Sequence, residues 1–545
     1  MNLSRFHSER FIRTIQFLAG AIAIALIFWQ LQFSTNAICC GDFDGYYHIK
    51  WTRTLWEGIK HGSFPPAFPW LPLTTLNAKD YVDHHLLFHI FQIPFAAFRD
   101  PRLGAKVGSI VFASLAVFSC YWLLIRYRIR YVLVWLLALL ACSAPFLFRL
   151  NMAKAPPFAI IYLVIAIHLF FRRQYWPLLP LALVFTWTYD LFLLLVMAAL
   201  FWSVAIAWTE RRFEWRPLVY VIVGCAAGLA INPYFPHNFQ LLYEHLLIKV
   251  RLGTSEYDTK VGSEWYPYDS WEFLGNSAVS CIAMVVGYIA FEPAERRKAQ
   301  YPVFFLLFST ALLIMTARWK RIAEYWPPFA VLFAAFSLQP WVAGTRSYLT
   351  RLPPDVQEEL EPFFDREDSW WTRLTSDWRE LITTVAVAVV AVALGFFLFF
   401  NLRAEVEEIG HSEAHEYYKA GADWMRAHVP AGQLVFNTDW DDFPRLFYFD
   451  ETHYYVSGLD PNYLFDKNPD LSRLYDRITL GHENDPGPLI RDRFGARYVF
   501  TDNSHDDFFQ HARASGWFDI VYEDPECTIL YIRDEKAAPE LNEFN

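Results

Sequence analysis

LITTVAVAVVAVALGFFLFF, residues 381–400, runs without a charged side chain. A helix of about 20 apolar residues crosses the hydrocarbon core of a bilayer, and roughly 17 is the lower limit. The stretch therefore reads as a membrane span, and the same reading extends back through the chain. Apolar runs at 14–33, 104–125, 131–148, 157–171, 175–189, 191–208, 217–231, 276–291, 302–316 and 325–340 meet or approach that limit. Together they predict a polytopic α-helical membrane protein of about eleven spans. Composition agrees: 54% of the 545 residues are hydrophobic and 19% are charged.

Lys and Arg in short loops mark the cytoplasmic side. Arg5, Arg10 and Arg13 precede the first run, so the N-terminus is expected in the cytoplasm. Alternate loops then carry Arg126/Arg128/Arg130, Arg172/Arg173, Arg211/Arg212/Arg216 and Arg296/Arg297/Lys298. This places 34–103, 149–156, 232–275 and everything after 400 outside. The first run has no small-residue cleavage site and reads as a retained span, not a signal peptide.

Charge separates two domains, 1–400 in the membrane with its outer loop 34–103, and 401–545 in water. The second has 29 Asp and Glu against 13 Lys and Arg, a net of −16. The remainder, 28 acidic and 34 basic, nets +6. An acidic outer domain excludes nucleic acid as a partner, because phosphate binding needs a basic face. Of the cysteines, Cys39, Cys40 and Cys527 fall outside; the vicinal pair 39–40 is poorly suited to closing a ring, and no disulfide is inferred.

The first outer loop is too long to be idle. Its spacing predicts a helix over Tyr46–Lys60, a Pro-rich turn, and a short apolar helix from Leu86 to Phe98. Residues 341–378 read as a cytoplasmic connector with an interfacial helix. In the outer domain, 411–428 reads as helix, followed by short β runs at Leu434–Asn437, Arg497–Thr501, Ile520–Glu523 and Thr528–Arg533, a small α/β domain.

Several groups of residues suit chemistry. Gly41-Asp42-Phe43-Asp44-Gly45-Tyr46-Tyr47-His48 opens the first outer loop, with Arg53 beyond it. Two carboxylates at i and i+2 can face a divalent cation or a nucleophilic hydroxyl; alternatively Asp44 caps the helix that starts near Tyr46. Asp80-Tyr81-Val82-Asp83-His84-His85 can ligate a metal or handle a proton, or cap the next helix. Glu264, in Val261-Gly262-Ser263-Glu264-Trp265-Tyr266-Pro267, is a single carboxylate among aromatics that otherwise anchors its loop in the interface. Arg318-Trp319-Lys320-Arg321 puts positive charge at the outer end of a span, where a lipid phosphate or snorkelling onto headgroups accounts for it. Phe436-Asn437-Thr438-Asp439-Trp440-Asp441-Asp442-Phe443-Pro444 follows a strand, as a recognition loop or a solvated acidic turn.

In this order, these features resemble the GT-C superfamily of membrane glycosyltransferases, and within it the catalytic subunits of oligosaccharyltransferases. Asp42-Phe43-Asp44-Gly45-Tyr46-Tyr47-His48 with Arg53 looks like the family's first-loop signature, which implies that Asp44, with Asp42, is catalytic or metal-binding. Ser263-Glu264, with Pro267 and Trp271, is similar to the Ser-x-Ser-Glu motif, implying that Glu264 serves the metal or the acceptor. Arg318 and Arg321 correspond in position to the arginine that grips the donor phosphate. Asn437 to Phe443 is similar to the Trp-Trp-Asp-Tyr-Gly acceptor motif, which implies acceptor contacts for Trp440, Asp441 and Asp442.

Two positions depart from the pattern. The second outer loop, Arg149-Leu150-Asn151-Met152-Ala153-Lys154, has no carboxylate where the family carries an acidic pair. Lys154 opposes a cation there and can instead meet the donor phosphate, while His84 and His85 can supply metal ligands. A divalent metal, Mg or Mn, thus stays open. The acceptor motif has one Trp rather than two. The resemblance implies glycosyl transfer from a polyprenyl (pyro)phosphate sugar to a protein, lipid or glycan acceptor at the outer face, in a bacterial inner membrane with the C-terminal domain periplasmic. The alternatives are a flippase or transporter of lipid-linked glycans and a membrane receptor with an outer sensor domain.

Overall fold

Ser143 and Pro145 stop what hydropathy alone reads as one span. In the computed structural model the helix Val132–Ala141 ends there, and Ala144–Asn151 restarts at 79° to it. Ser143 accepts the Phe146 N–H as N-cap, and Pro145 lies in the first turn, where its missing N–H costs nothing. A second break, of 83°, separates Ser270–Asn276 from Ala278–Ala290, the first of these capped by Asp269. The structure describes residues 3–40, 43–243, 263–292, 299–342 and 376–537. The expected interfacial helix at 341–378, apart from its ends, lies outside them.

Among the described residues, five helices are long and apolar enough to cross a membrane, and seven if each bent pair is one span. They are Phe11–Gln32, Pro101–Arg126, Asp190–Glu210, Gln300–Arg318 and Leu381–Gly410. Three of the runs counted among the expected eleven fold as shorter helices, Pro156–Phe171, Leu178–Thr188 and Arg216–Ala230, of 16, 11 and 15 residues. At about 1.5 Å per residue none of these covers the roughly 30 Å core alone. Helix Ser376–Gly410 exposes Val385, Val389, Val392, Phe396, Phe399 and Phe400 along its length. Apolar flanks of that extent belong in lipid, and the protein is an integral membrane protein.

The chain forms two compact units. The first comprises Met1–Thr35, Lys106–Ile231 and Ser263–His411; the second comprises Asn36–Ala105, Asn232–Gly262 and Ser412–Asn545. In space, therefore, the outer loop 34–103 groups with the C-terminal residues, and the division does not follow the boundary at 400.

In the first unit, Lys106 is buried and gives its ammonium group to the carbonyls of Gln32 (2.5 Å) and Thr35 (2.8 Å), closing the end of helix Leu3–Gln32. Helices Leu178–Thr188 and Arg216–Ala230 meet through Gly224 and Gly228. A Cβ on Gly224 would lie 2.4 Å from the Leu179 carbonyl oxygen, and one on Gly228 3.0 Å from Thr186 Cβ. Small residues four apart permit this approach, and Trp187 donates to the Gly228 carbonyl across it at 2.7 Å. Gly224→Leu is expected to force the helices apart and to cost about 1–3 kcal/mol. Thermal unfolding in detergent checks this, with Ala226→Leu, on the exposed side of the same helix, leaving the transition in place.

The second unit carries a five-stranded sheet of order β2-β1-β3-β5-β4, with β1 Leu434–Asn437, β2 Tyr454–Tyr455, β3 Tyr498–Asp502, β4 Phe518–Glu523 and β5 Cys527–Ile532. β1 is parallel to β2 and β3; β5 is antiparallel to β3 and β4. Helix Pro469–Thr479, capped by Asn468, lays Leu471, Leu474, Tyr475 and Ile478 on the sheet residues Phe436, Val499 and Leu530. That i, i+3, i+4, i+7 spacing is one helix face.

The first outer loop is built into this unit. Its helices Asp44–Lys60 and Leu86–Ala96 pack on each other. Lys50 pairs with Glu451 (2.8 Å), Lys467 with Asp80 (2.7 Å), and the Tyr455 N–H donates to the Trp70 carbonyl (2.8 Å). Cys39 and Cys40 are joined by a disulfide across a cis peptide, their Cα atoms 3.1 Å apart, so the vicinal pair does close its ring, against the expectation.

Behind β2, buried His453 faces the Asp450 carboxylate with Nδ1 (2.5 Å) and the Val429 carbonyl with Nε2 (3.1 Å). Both partners are acceptors, so both nitrogens donate and the ring is cationic. Burial works to lower the His453 pKa, and the Asp450 contact outweighs it and raises it. A raised folded-state pKa contributes stability that is complete below about 6.5 and is lost as pH climbs through the raised value. The melting temperature of the protein is therefore expected to fall as pH rises above about 6.5 and through the raised His453 pKa, and His453→Gln to remove that part of the slope.

Candidate active site

In the first unit, the bend at Ser143 brings Arg149, on the short helix Ala144–Asn151, to Glu264 and Glu324. Arg149 pairs with Glu264 at 2.5 Å and with Glu324 at 2.6 Å. Arg321 pairs with the other Glu264 oxygen at 2.6 Å and donates to Tyr189 Oη at 2.9 Å. Tyr325 donates to Glu324 (2.7 Å), and its hydroxyl oxygen meets that of Tyr189 at 3.1 Å, closing the network. The Trp265 ring lies 5.1 Å from the Arg321 guanidinium. Burial works to raise the Glu264 pKa, and the charges of Arg321, Arg149 and Lys154 overcome it and hold the carboxyl well below its ordinary range.

Arg321 is turned inward because helix Gln300–Arg318 stops at Trp319, which is extended (φ −135°, ψ 117°), and a 3₁₀ segment, Lys320–Glu324, follows. Arg318, the last residue of that helix, is exposed, so Arg321 is the one in the network. Three N–H groups between 319 and 326 are buried with no acceptor among the described residues: Trp319 Nε1, Arg321 Nε and Trp326 Nε1. Unpaired buried donors of this kind are rare and are open to an anionic oxygen.

In the second unit, Asp44 is the first residue of helix Asp44–Lys60. The N-cap position is Phe43, and no side-chain cap bond is made there. Asp44 thus stands in the first turn, and Tyr47 feels its charge. Asp42 lies outside the described residues. His48, one turn on from Asp44, is buried, and its Nδ1 meets His89 Nε2 at 2.8 Å; His89 Nδ1 in turn meets the Asp83 carboxylate at 2.8 Å. Trp51 Nε1–H also donates to Asp83 (2.9 Å), whose pKa is held down by His89 and Trp51 despite its burial. Asp83 also takes the His85 backbone N–H at 3.0 Å, so it serves both the helix entry and the imidazole chain. His84 and His85 are half-buried with rings 4.0 Å apart.

The 437–443 loop belongs to the same unit. Asn437 is fully buried and bonds the Asp439 and Ser457 carbonyls (2.7 and 2.8 Å), a structural role. Trp440 and Asp441 are half-buried, while Asp442 is 3% exposed. Arg445, one turn into the next helix, is boxed by the rings of Phe43 (4.0 Å), Tyr46 (5.0 Å) and Tyr417 (5.1 Å). Its Nε and Nη1 have no hydrogen-bond partner among the described residues. The sequence gives no direct signal for Arg445, Glu324 or His89; only the i+4 spacing of His85 and His89 hinted at a shared helix face.

A divalent cation at Glu264 does not fit these surroundings. The carboxylate is taken by two guanidinium groups, with Lys154 close enough to act on it. Glu264 is therefore an anchor for Arg149 and Arg321, and no step below is routed through a metal.

The solved structures place this architecture. AglB, the archaeal oligosaccharyltransferase of Archaeoglobus fulgidus, in complex with an inhibitory peptide and a dolichol-phosphate, superimposes with a TM-score of 0.60 at 12% identity, over 93% of this chain and 73% of its own. The fold is of the GT-C type. ArnT from Cupriavidus metallidurans, bound to undecaprenyl phosphate, follows at 0.54 and 13% identity, over 96% of this chain and 100% of its own. Mycobacterial arabinofuranosyltransferase AftD matches at 0.50 and 13% identity, over 96% of this chain and 40% of its own. No family model matches the sequence, and no curated protein does.

Proposed function

We propose that the protein is a GT-C glycosyltransferase that moves a sugar or oligosaccharide from a polyprenyl phosphate or diphosphate donor to a protein, lipid or glycan acceptor at the outer face of a membrane, in bacteria the inner membrane. The observation that carries this reading is the half-buried cationic group Arg149, Lys154 and Arg321 beside three N–H donors with no acceptor among the described residues, on a fold shared with proteins solved with dolichol-phosphate and undecaprenyl phosphate. Arg321 and Lys154 receive the donor phosphate, and Glu264 holds the guanidinium groups in place. An apolar cavity of about 450 Å³, lined by Trp135, Ala138, Ile282 and Leu338 among others, is suited to part of a polyprenyl tail.

In the transfer, the acceptor's nucleophilic atom attacks C1 of the sugar from the face opposite the phosphate. The C1–O bond breaks, its electron pair leaves on the phosphate oxygen, and the acceptor proton passes to a carboxylate base, the role that the first-loop motif implies for Asp44. Trp440 and Asp441 contact the acceptor. Purified protein incubated with radiolabelled polyprenyl-phosphate sugars and a mixture of acceptors tests this. Release of free lipid phosphate with transfer of the label is expected. Movement of intact donor across a vesicle without cleavage would overturn the reading in favour of a flippase.

A further inference from the structure

Strand β1 is flanked by β2, the next strand in sequence, on one side and by β3 on the other, so the sheet reverses its direction of growth between β1 and β3. Parallel strands at such a point leave a crevice at their carboxyl ends, where open α/β sheets place ligands. Here that crevice holds Asp439, two residues beyond the end of β1, with Asp502, the last residue of β3, and His505. One ligand atom from each lies within 4.8 Å of the others. Thr438 and Thr501 tie the two strand ends together through their hydroxyls at 2.8 Å.

Asp502 Oδ1 and His505 Nδ1 are 2.7 Å apart. Two donors each about 2.1 Å from one ion stand roughly 3 Å apart, so the pair already has the spacing of neighbouring ligands. A second, independent observation is Asp442. It is 3% exposed, its Oδ2 has no hydrogen-bond partner among the described residues, and Asp439 and Asp502 are the charges that act on it most strongly. Among the described residues, no lysine or arginine pairs with Asp439, Asp442 or Asp502; the one ion pair these three make is with His505. Asp502 also accepts from the Ser504 N–H and hydroxyl, and Asp439 from the Asp441 N–H; three carboxylates with one imidazole as their ion-pair partner point to a cation.

We propose that Asp439, Asp502 and His505 bind a divalent cation of the Mn²⁺ class, which takes carboxylate oxygen and imidazole nitrogen together. The ion fastens the 438–442 loop to the end of β3. The proposal does not rest on the transfer reaction.

The test uses the full-length protein in detergent, titrated with Mn²⁺ and followed by electron paramagnetic resonance. Wild type is expected to bind the ion and to show ¹⁴N coupling from one imidazole. His505→Gln should lose that coupling, and Asp439→Asn/Asp502→Asn should weaken binding roughly a hundred-fold or more, while Asp44→Asn keeps the site. Asp442→Asn removes negative charge that acts on Asp439 and Asp502, so it is expected to reduce the rise in melting temperature that Mn²⁺ gives. Equal Mn²⁺ binding in wild type and the double variant, ¹⁴N coupling that survives in His505→Gln, or no Mn²⁺-dependent rise in wild type would each overturn the proposal.

Discussion

Alanine in place of Arg321 is expected to be the most damaging single change in the first unit. Arg321 pairs with Glu264, bonds Tyr189 and stacks on Trp265, all in a buried setting. Removing one partner of a buried pair costs about 3–5 kcal/mol, because the other charge is left behind. The same change removes the proposed phosphate ligand, so donor KM should rise on the order of a hundred-fold, since charge-assisted contacts to phosphate are among the strong ones. Arg321→Lys keeps the charge and loses the planar fork, and should recover stability more than donor binding. The double variant Arg321→Ala/Glu264→Ala separates the two roles. It restores much of the thermal stability by deleting the orphaned carboxylate, and leaves the donor defect untouched. Wild-type transfer by that double variant would sink the assignment of phosphate binding to Arg321.

Asp44→Asn is expected to act on the reaction with little effect on the fold. A general base contributes about 10²–10⁴ in rate, so transfer should fall by that much with donor binding unchanged. The stability cost should stay below about 1 kcal/mol, the value of a carboxylate in the first turn of a helix, which Asp44 occupies. Single-turnover transfer and thermal unfolding, measured on the same preparation, distinguish the two effects. Equal loss of stability and rate would instead make Asp44 a structural residue.

Much of this was legible in the sequence. The helices Asp44–Lys60 and Leu86–Ala96 follow their apolar spacing, and β1, β3, β4 and β5 fall within a few residues of the runs that announced them. β2, at two residues, is too short for any alternation to register. Hydropathy also reported apolar length without direction, so the bend at Ser143 passed as one continuous span, although Ser143 followed by Pro145 is a readable helix start. The site divided the same way. Glu264 was visible as a single charge among aromatics, and Arg321 as part of a basic cluster at the end of a span. Arg149, which pairs with Glu264 and Glu324, comes from an element far away in the chain, and no local pattern pairs it with them. For the same reason Glu264 read as a metal or acceptor ligand when its neighbours make it a counter-ion.

The helix Ser376–Gly410 has 35 residues. At about 1.5 Å each it is roughly 50 Å long, well beyond a hydrocarbon core of about 30 Å. Its exposed Phe396, Phe399 and Phe400 are followed by Glu405, Glu407 and Glu408, so the greasy part ends abruptly before the helix does. Lipid chain length then sets how steeply this helix leans, since a thin bilayer can cover the apolar segment only by tilting it. The membrane's thickness becomes, through this one rod, a mechanical input to the protein.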